Sequence, residues 1–355
     1  MIGLTLRAVS PAQPEESSAE DAPFVIAVLP IHNLSATPIP FESIKASLIG
    51  NLAQKGLRIL AGEALERFIF KYRLRYIGGV TRETATALRQ ETDADGVLIT
   101  SVGLYNETSP PKIAMFSRLV STEPTTEILW MDGAGSAGDD SLGLFELGLI
   151  DDPRALMQKA LDYLATSLAE ALKRRGTGPV TLAARGKFKP KFVYRSPLPD
   201  SERKYNVAVL PFLNKGERKY AGELLSLHFI NRLTKMDHFN VIEPGIIRHT
   251  LLRTRIIMED GVSLADARAV FARAYAELVL GGKVFDYQDF PGEIGKAKVD
   301  FSASLIDRDR QEVIWACKSD NTGEEGVWFF DWGKVNTAHA LAAEMVTLAV
   351  DTISD

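Results

Sequence analysis

The sequence predicts an α/β fold leaning towards α+β, built from two tandem copies of one mixed β-sheet packed with helices. Three observations predict it. A nine-residue stretch is written twice: Val25-Ile-Ala-Val-Leu-Pro-Ile-His-Asn33 returns as Asn206-Val-Ala-Val-Leu-Pro-Phe-Leu-Asn214, 181 residues on, so Pro30 meets Pro211 and Asn33 meets Asn214. The correspondence persists downstream, with Val97-Leu98 and Val279-Leu280 separated by 182 residues and Trp130 and Trp315 by 185. Phe116 and Phe301 also lie 185 apart and read as a matched pair. The drift in separation falls at or near predicted loops, where insertions are tolerated. Finally, both halves give the element order β-α-β-α-α-β-β-β-α.

The elements of the first copy follow from periodicity. The apolar run 24–29, ended by Pro30, reads as a buried strand. Phe41–Gln54 carries Ile44, Leu48, Ile49 and Leu52 at helical spacing, so an amphipathic helix is expected. A short strand at 57–60, a helix at 63–72 and a helix at 81–91 follow, the last with Thr81, Glu83 and Thr84 offering capping chemistry. Strands are expected at 96–105, 112–121 and 127–131. After a glycine-rich loop comes a closing helix at 153–175, with Pro153 in its first turn. The second copy repeats this at 221–233, 239–242, 245–253, from Ser263, and finally at 336–353. A strand, helix and strand imply a right-handed crossover between parallel neighbours, and the later strand run implies antiparallel hairpins.

Residues 1–23, rich in Pro, Ser, Glu and Ala from 11 on, are expected to be a disordered leader. The first domain is then 24–175 and the second 205–355. Between them, 176–204 reads as a Pro/Gly linker that is strongly basic. Its Lys187, Lys189 and Lys191 interleave with Phe188, Phe192 and Tyr194, a pattern that either meets an anionic partner or adds an edge strand to a sheet.

At 355 residues the chain has room for two cores. A net charge of −5 argues against a general nucleic-acid binder, so no nucleic acid is expected. The single cysteine, Cys317, excludes an intrachain disulfide and a Cys-rich metal site. No apolar run reaches the ~18–20 residues of a membrane span. The first ten residues are too short and too weakly charged for a signal peptide, so no export signal is expected in the sequence as written.

The A-V-L-P-[FI]-x-N strand and loop, with Val241-Ile-Glu243 and Ala276-Glu-Leu-Val-Leu-Gly281 in the second copy and Ala94-Asp-Gly-Val-Leu-Ile99 in the first, resembles one bacterial group. It is similar to the amino-terminal domain of the propeller protein TolB, the curli secretion lipoprotein and the penicillin-binding-protein activator lipoproteins. The resemblance implies a non-enzymatic cell-envelope protein, periplasmic or outer-membrane-associated, whose partners are other envelope proteins or a second copy of itself. The lipid-attachment cysteine of such proteins has no counterpart here, so membrane attachment would need an anchor this sequence does not show. No propeller and no pore-forming hairpins are recognisable either.

Few residues carry a signature of chemistry. Gly133-Ala-Gly135-Ser-Ala-Gly138 spells a dinucleotide-binding fingerprint, but Asp139 and Asp140 follow in place of a helix start, and the second copy lacks the pattern, so a flexible loop is expected. The five histidines lack metal-ligand spacing. His228 reads as a helix-surface or partly buried residue. Glu243 reads as structural, and Cys317 as a small, unreactive strand residue. No cofactor, metal or catalytic residue is expected. Asn33 and Asn214 are read first as turn residues bonding their own backbone, and alternatively as a partner loop at the sheet edge. Phe329, Phe330 and Trp332 are either packed beneath the last helix or an exposed partner patch. Two alternatives to the envelope reading stand: a nucleotide or small-ligand binder using sheet-edge loops, and a cytoplasmic scaffold of the same fold.

Overall fold

The computed structural model describes residues 24–140, 149–174, 186–197, 203–256, 261–292, 295–325 and 333–353. Unit one contains β1 (Val25–Val28), β2 (His32–Asn33), α1 (Phe41–Gln54), β3 (Arg58–Leu60), α2 (Glu63–Lys71), α3 (Arg82–Thr92), β4 (Gly96–Asn106), β5 (Lys112–Ser121), β6 (Ile128–Ala137) and α4 (Pro153–Lys173). After β7 (Phe192–Arg195), unit two repeats the order as β8 (Tyr205–Val209), β9 (Leu213–Asn214), α5 (Ala221–Leu233), β10 (Phe239–Val241), α6 (Pro244–Thr254), α7 (Leu264–Ala274), β11 (Leu278–Gln288), β12 (Lys298–Asp307), β13 (Val313–Thr322) and α8 (Ala338–Asp351). The mixed α/β class and the two sheet-containing units agree with the expected fold.

Sheet one has the order β3-β1-β4-β5-β6, with β2 beside the far end of β4; sheet two has β10-β8-β11-β12-β13-β7, with β9 beside β11. The crossover strands pair in parallel and the later three are antiparallel. β1 lies between β3 and β4 and is buried on both faces, which is why its sequence is continuously apolar. On one face of sheet one, Ile26, Val28, Leu98 and Met115 pack under Leu48 of α1 and Leu161 and Leu164 of α4. On the other, Ala27, Leu29, Val97 and Ile99 meet Leu65 and Phe68 of α2 and Leu88 of α3.

Two expectations are corrected. Phe116 faces Ser101 across β4 and β5, and the position equivalent in β11 and β12 pairs Lys283 with Ser302, so Phe116 corresponds to Ser302 and Phe301 to Met115. Side chains alternate along a strand, so this one-residue slip sends Phe116 and Phe301 to opposite faces. Secondly, the glycine-rich segment is no flexible loop: β6 continues through it to Ala137, paired residue by residue with β5. Of the two readings of the basic stretch, the edge strand is the one the structure bears out. β7 lines up antiparallel with β13, placing Val193 opposite Cys317, and Phe188 is buried in the core of unit two.

The two units share that core. Phe116 and Met131 of sheet one belong to the same cluster as Leu224 and Phe229 of α5 and Leu341 and Met345 of α8. The α5/α8 layer is therefore held between two sheets. Ten residues of α5 are buried against four of its counterpart α1, whose outer side faces solvent. The face of sheet two that corresponds to Phe116 and Met131 carries Ser302, Ala316 and Lys318, none of them buried.

Candidate functional site

The residues brought together at the seam begin with strand one. Pro30 interrupts its pairing, and the chain re-joins sheet one as β2, with His32 opposite Ser101. His32 Nδ1 lies 3.3 Å from Ser101 Oγ, and the imidazole meets the Tyr76 ring edge-on at 5.5 Å. On the far side of Tyr76, the Arg248 guanidinium of α6 stands 4.3 Å from the ring centre. Burial, then the charges of Arg118 and Arg248, lowers the His32 pKa to about 4, so the ring is neutral. Burial likewise raises the Tyr76 hydroxyl.

Behind this group lies a buried ion pair between the units. Arg118 Nε donates to Glu243 Oε2 at 2.9 Å and Nη2 to Oε1 at 2.8 Å, a two-pronged contact, while Nη2 also reaches Gly78 O at 2.7 Å. Glu243 caps α6 by accepting from Gly245 N at 3.3 Å, and it accepts from Val80 N of unit one at the same distance. The glycines here are needed for close approach. A Cβ on Gly245 would stand 2.3 Å from Val80 N, and one on Gly79 2.7 Å from Gly245 N. The reading of Glu243 as structural fits its four hydrogen bonds.

In front of the pair opens a cleft of about 430 Å³. His32, Leu34, Tyr76, Gly78 and Ser101 of unit one form one wall; Pro211, Glu223, Ile247 and Leu251 of unit two form the other. Unit one has the same groove. Pro30, Glu42, Lys45, Glu66 and Phe70 line it, each 181 residues before Pro211, Glu223, Ser226, Ile247 and Leu251 of the cleft. No second wall covers this groove among the described residues. It is about 540 Å³, with Phe70 87 % and Phe41 44 % exposed. Sequence reasoning passed over both grooves, although the apolar Phe68-Ile69-Phe70 run ending an otherwise amphipathic helix was the available signal.

The sequence-derived candidates fall elsewhere. Asn33 Oδ1 accepts from Ser35 N at 2.9 Å and its amide donates to Thr37 O at 2.7 Å. Asn214 repeats this with Gly216 N at 3.0 Å and Arg218 O at 2.7 Å. Both side chains thus shape the turn after strand one. Lys187 donates to Gly333 O at 2.9 Å, Lys191 lies 3.8 Å from Glu325, and Lys189 is exposed, so the three do not converge. Phe329, Phe330 and Trp332 lie outside the described residues.

The fingerprint glycines serve packing. Gly133 and Gly135 sit on the face of β6 turned to α8, where a Cβ at Gly135 would lie 2.4 Å from His339 Cδ2. There the rings of His228, His339 and Phe116 cluster at 4.6–4.7 Å, edge-on or tilted to one another, and His228 Nε2 lies 3.1 Å from the Tyr287 hydroxyl. His228, expected at the helix surface or partly buried, is 3 % exposed, because α5 is covered on both sides. Among the described residues no His, Cys, Asp and Glu group is arranged to hold a metal, and no helix is long and apolar enough to cross a membrane.

No family model matches the chain, and no curated protein matches it in sequence. Solved structures are similar over part of it. They include the PelC dodecamer from Paraburkholderia phytofirmans, at 18 % identity over 46 % of this chain and 97 % of that one, with a TM-score of 0.32. The lipoprotein GNA1162 from Neisseria meningitidis is 19 % identical over 44 % of this chain and 100 % of its own, with a TM-score of 0.30. The LpoB C-terminal domain from Salmonella enterica is 20 % identical over 33 % and 87 %, with a TM-score of 0.27. Each is covered almost whole by less than half of this chain. The narrower likeness to TolB and the curli secretion lipoprotein rests on sequence motifs alone.

Proposed function

We propose that this chain is a non-enzymatic protein of the bacterial cell envelope that binds another protein through the groove of unit one. The observation that carries the reading is the duplicated groove itself. In unit two it already receives a protein surface, the Tyr76–Gly79 segment and His32 of unit one. In unit one no described residue closes the equivalent groove, and two aromatic side chains are exposed there. Large exposed apolar side chains rimming a concavity, here with Glu42, Lys45 and Glu66 around them, are the surface chemistry of interaction sites. The envelope setting is supported by the motifs at β1 and β8 and at the start of β4 and β11. The non-enzymatic part of the reading rests on the same motifs; at the seam, Glu243 and Arg118 are taken up by one another.

The test is site-specific photo-crosslinking in the producing bacterium. A photoreactive residue at Phe70 is expected to give one discrete protein adduct, lost when Phe41→Glu is added. The same probe at exposed Tyr163 of α4 serves as the control and is expected to give none. An adduct with a second copy of the chain would make the partner self. Absence of any Phe70-specific adduct would sink the proposal.

A further inference from the structure

The seam has a second concavity, on the opposite side of α6 from the Tyr76 cleft. It measures about 300 Å³ and is lined by Arg82 and Glu83 from the start of α3, by His249 and Arg253 of α6, and by Arg273 and Tyr275 at the end of α7. The two sides of α6 divide by helical spacing, 249 and 253 facing this cleft and 247, 248 and 251 the other.

Three guanidinium groups and an imidazole here face a single carboxylate. Arg118, Arg218 and Arg232 elsewhere each hold a carboxylate partner. Among the described residues, no carboxylate lies within ion-pairing distance of Arg82, Arg253 or Arg273. The Arg82 guanidinium is steadied over the Tyr275 ring at 5.8 Å, a cation–π distance, and Tyr275 is 71 % exposed at the rim. The one carboxylate reports the local field. Hydrogen bonds from its own backbone N–H and from Thr81, then the charges of His249 and Arg82, hold Glu83 below the usual carboxylate range.

We propose that this cleft binds a phosphate-bearing polyanion, of the size of a di- or triphosphate, and that the bound anion ties α3 of unit one to α6 and α7 of unit two. Planar guanidinium groups match phosphate oxygens in pairs, and three on separate helices suit a ligand with several such oxygens. The phosphate is carried either by a soluble ligand or by a lipid headgroup.

Calorimetric titration of the full chain with inorganic pyrophosphate at fixed ionic strength tests the soluble source. Saturable binding that weakens with salt is expected. Arg253→Gln and Arg273→Gln, exposed residues whose replacement leaves no carboxylate stranded, are each expected to lower affinity about tenfold, the loss of one charge-assisted hydrogen bond. Glu83→Gln removes the competing anion and is expected to raise affinity. Flotation with phosphatidylglycerol vesicles, against phosphatidylcholine, tests the lipid source, and binding abolished by the double arginine variant there alone would assign the phosphate to a headgroup. Failure to bind pyrophosphate at millimolar concentration together with no variant-sensitive flotation overturns the proposal, as does binding that the double variant leaves unchanged. Neither result touches the Phe70 groove, which lies on another face.

Discussion

Glu243→Ala removes four contacts at once: the two from Arg118 at 2.8 and 2.9 Å and the two backbone N–H groups of Val80 and Gly245 at 3.3 Å. Arg118, 1 % exposed, would retain one acceptor, Gly78 O. Stranding one member of a buried ion pair costs about 3–5 kcal/mol, and losing a helix N-cap about 1 kcal/mol more. Water from the adjoining cleft would reach the guanidinium and offset part of this, so a loss of about 3–4 kcal/mol is expected. Glu243→Gln separates the two contributions. Its amide oxygen still caps α6, but its NH2 would face the Arg118 Nε–H donor, so most of the loss should remain. Arg118 sits on sheet one and Glu243 at the start of α6, so the loss falls on the contact between units. Urea unfolding followed by single-tryptophan variants, Trp130 for unit one and Trp315 for unit two, would then show two separated transitions in place of coincident ones. A loss below about 1 kcal/mol, or coincident transitions in Glu243→Ala, would refute the view that this pair holds the units together.

Gly135→Ala should destabilise by about 1–3 kcal/mol, because the new methyl meets the His339 ring in a packed seam; urea midpoints would show it, and a neutral effect would mean α8 yields easily. His339, buried and with its pKa lowered to about 3 by burial first and Arg218 second, is protonated far more readily when unfolded. Its contribution is present above the unfolded value of 6.5 and is lost as pH falls from there towards 3, about 2 kcal/mol by pH 5. Unfolding measured at pH 7 and pH 5 should therefore show a smaller drop in His339→Gln than in the parent chain. Burial pushes the Cys317 thiol up to about 12, so labelling by a maleimide should be slow in the native protein and fast in urea; fast native labelling would contradict its placement in the core, between β7 and β12.

Much of the fold was legible because its signals are local. Residues 41–54, 112–121 and 221–233 have the boundaries their periodicity implies, and the Thr81 cap forms with Thr84 N. What escaped was set by neighbours distant in sequence. Glycine and alanine at 133–137 suggest a loop only while α8 is out of view; next to His339 they are what a close strand–helix contact requires. Pairing Phe116 with Phe301 followed residue identity, whereas the β-ladder sets the register. His228 carries no mark of double coverage, since that depends on a whole second sheet. The grooves were missed for a similar reason. Their walls come from two helices and a proline turn, and the contrast between covered and open copies exists only once both are superposed in space.

The burial of α5 and α8 between two sheets gives the two copies unequal freedom to change. A polar substitution on the outer side of α1 meets only water, whereas the same substitution at the matching turn of α5 is pressed against Phe116 or Gly103. A saturation scan of both helices should return two different tolerance maps from one shared element order, with unit two as the less tolerant. Over many generations unit one would drift and remain able to acquire binding surfaces, and unit two would be retained nearly as it is, having become the inside of the molecule.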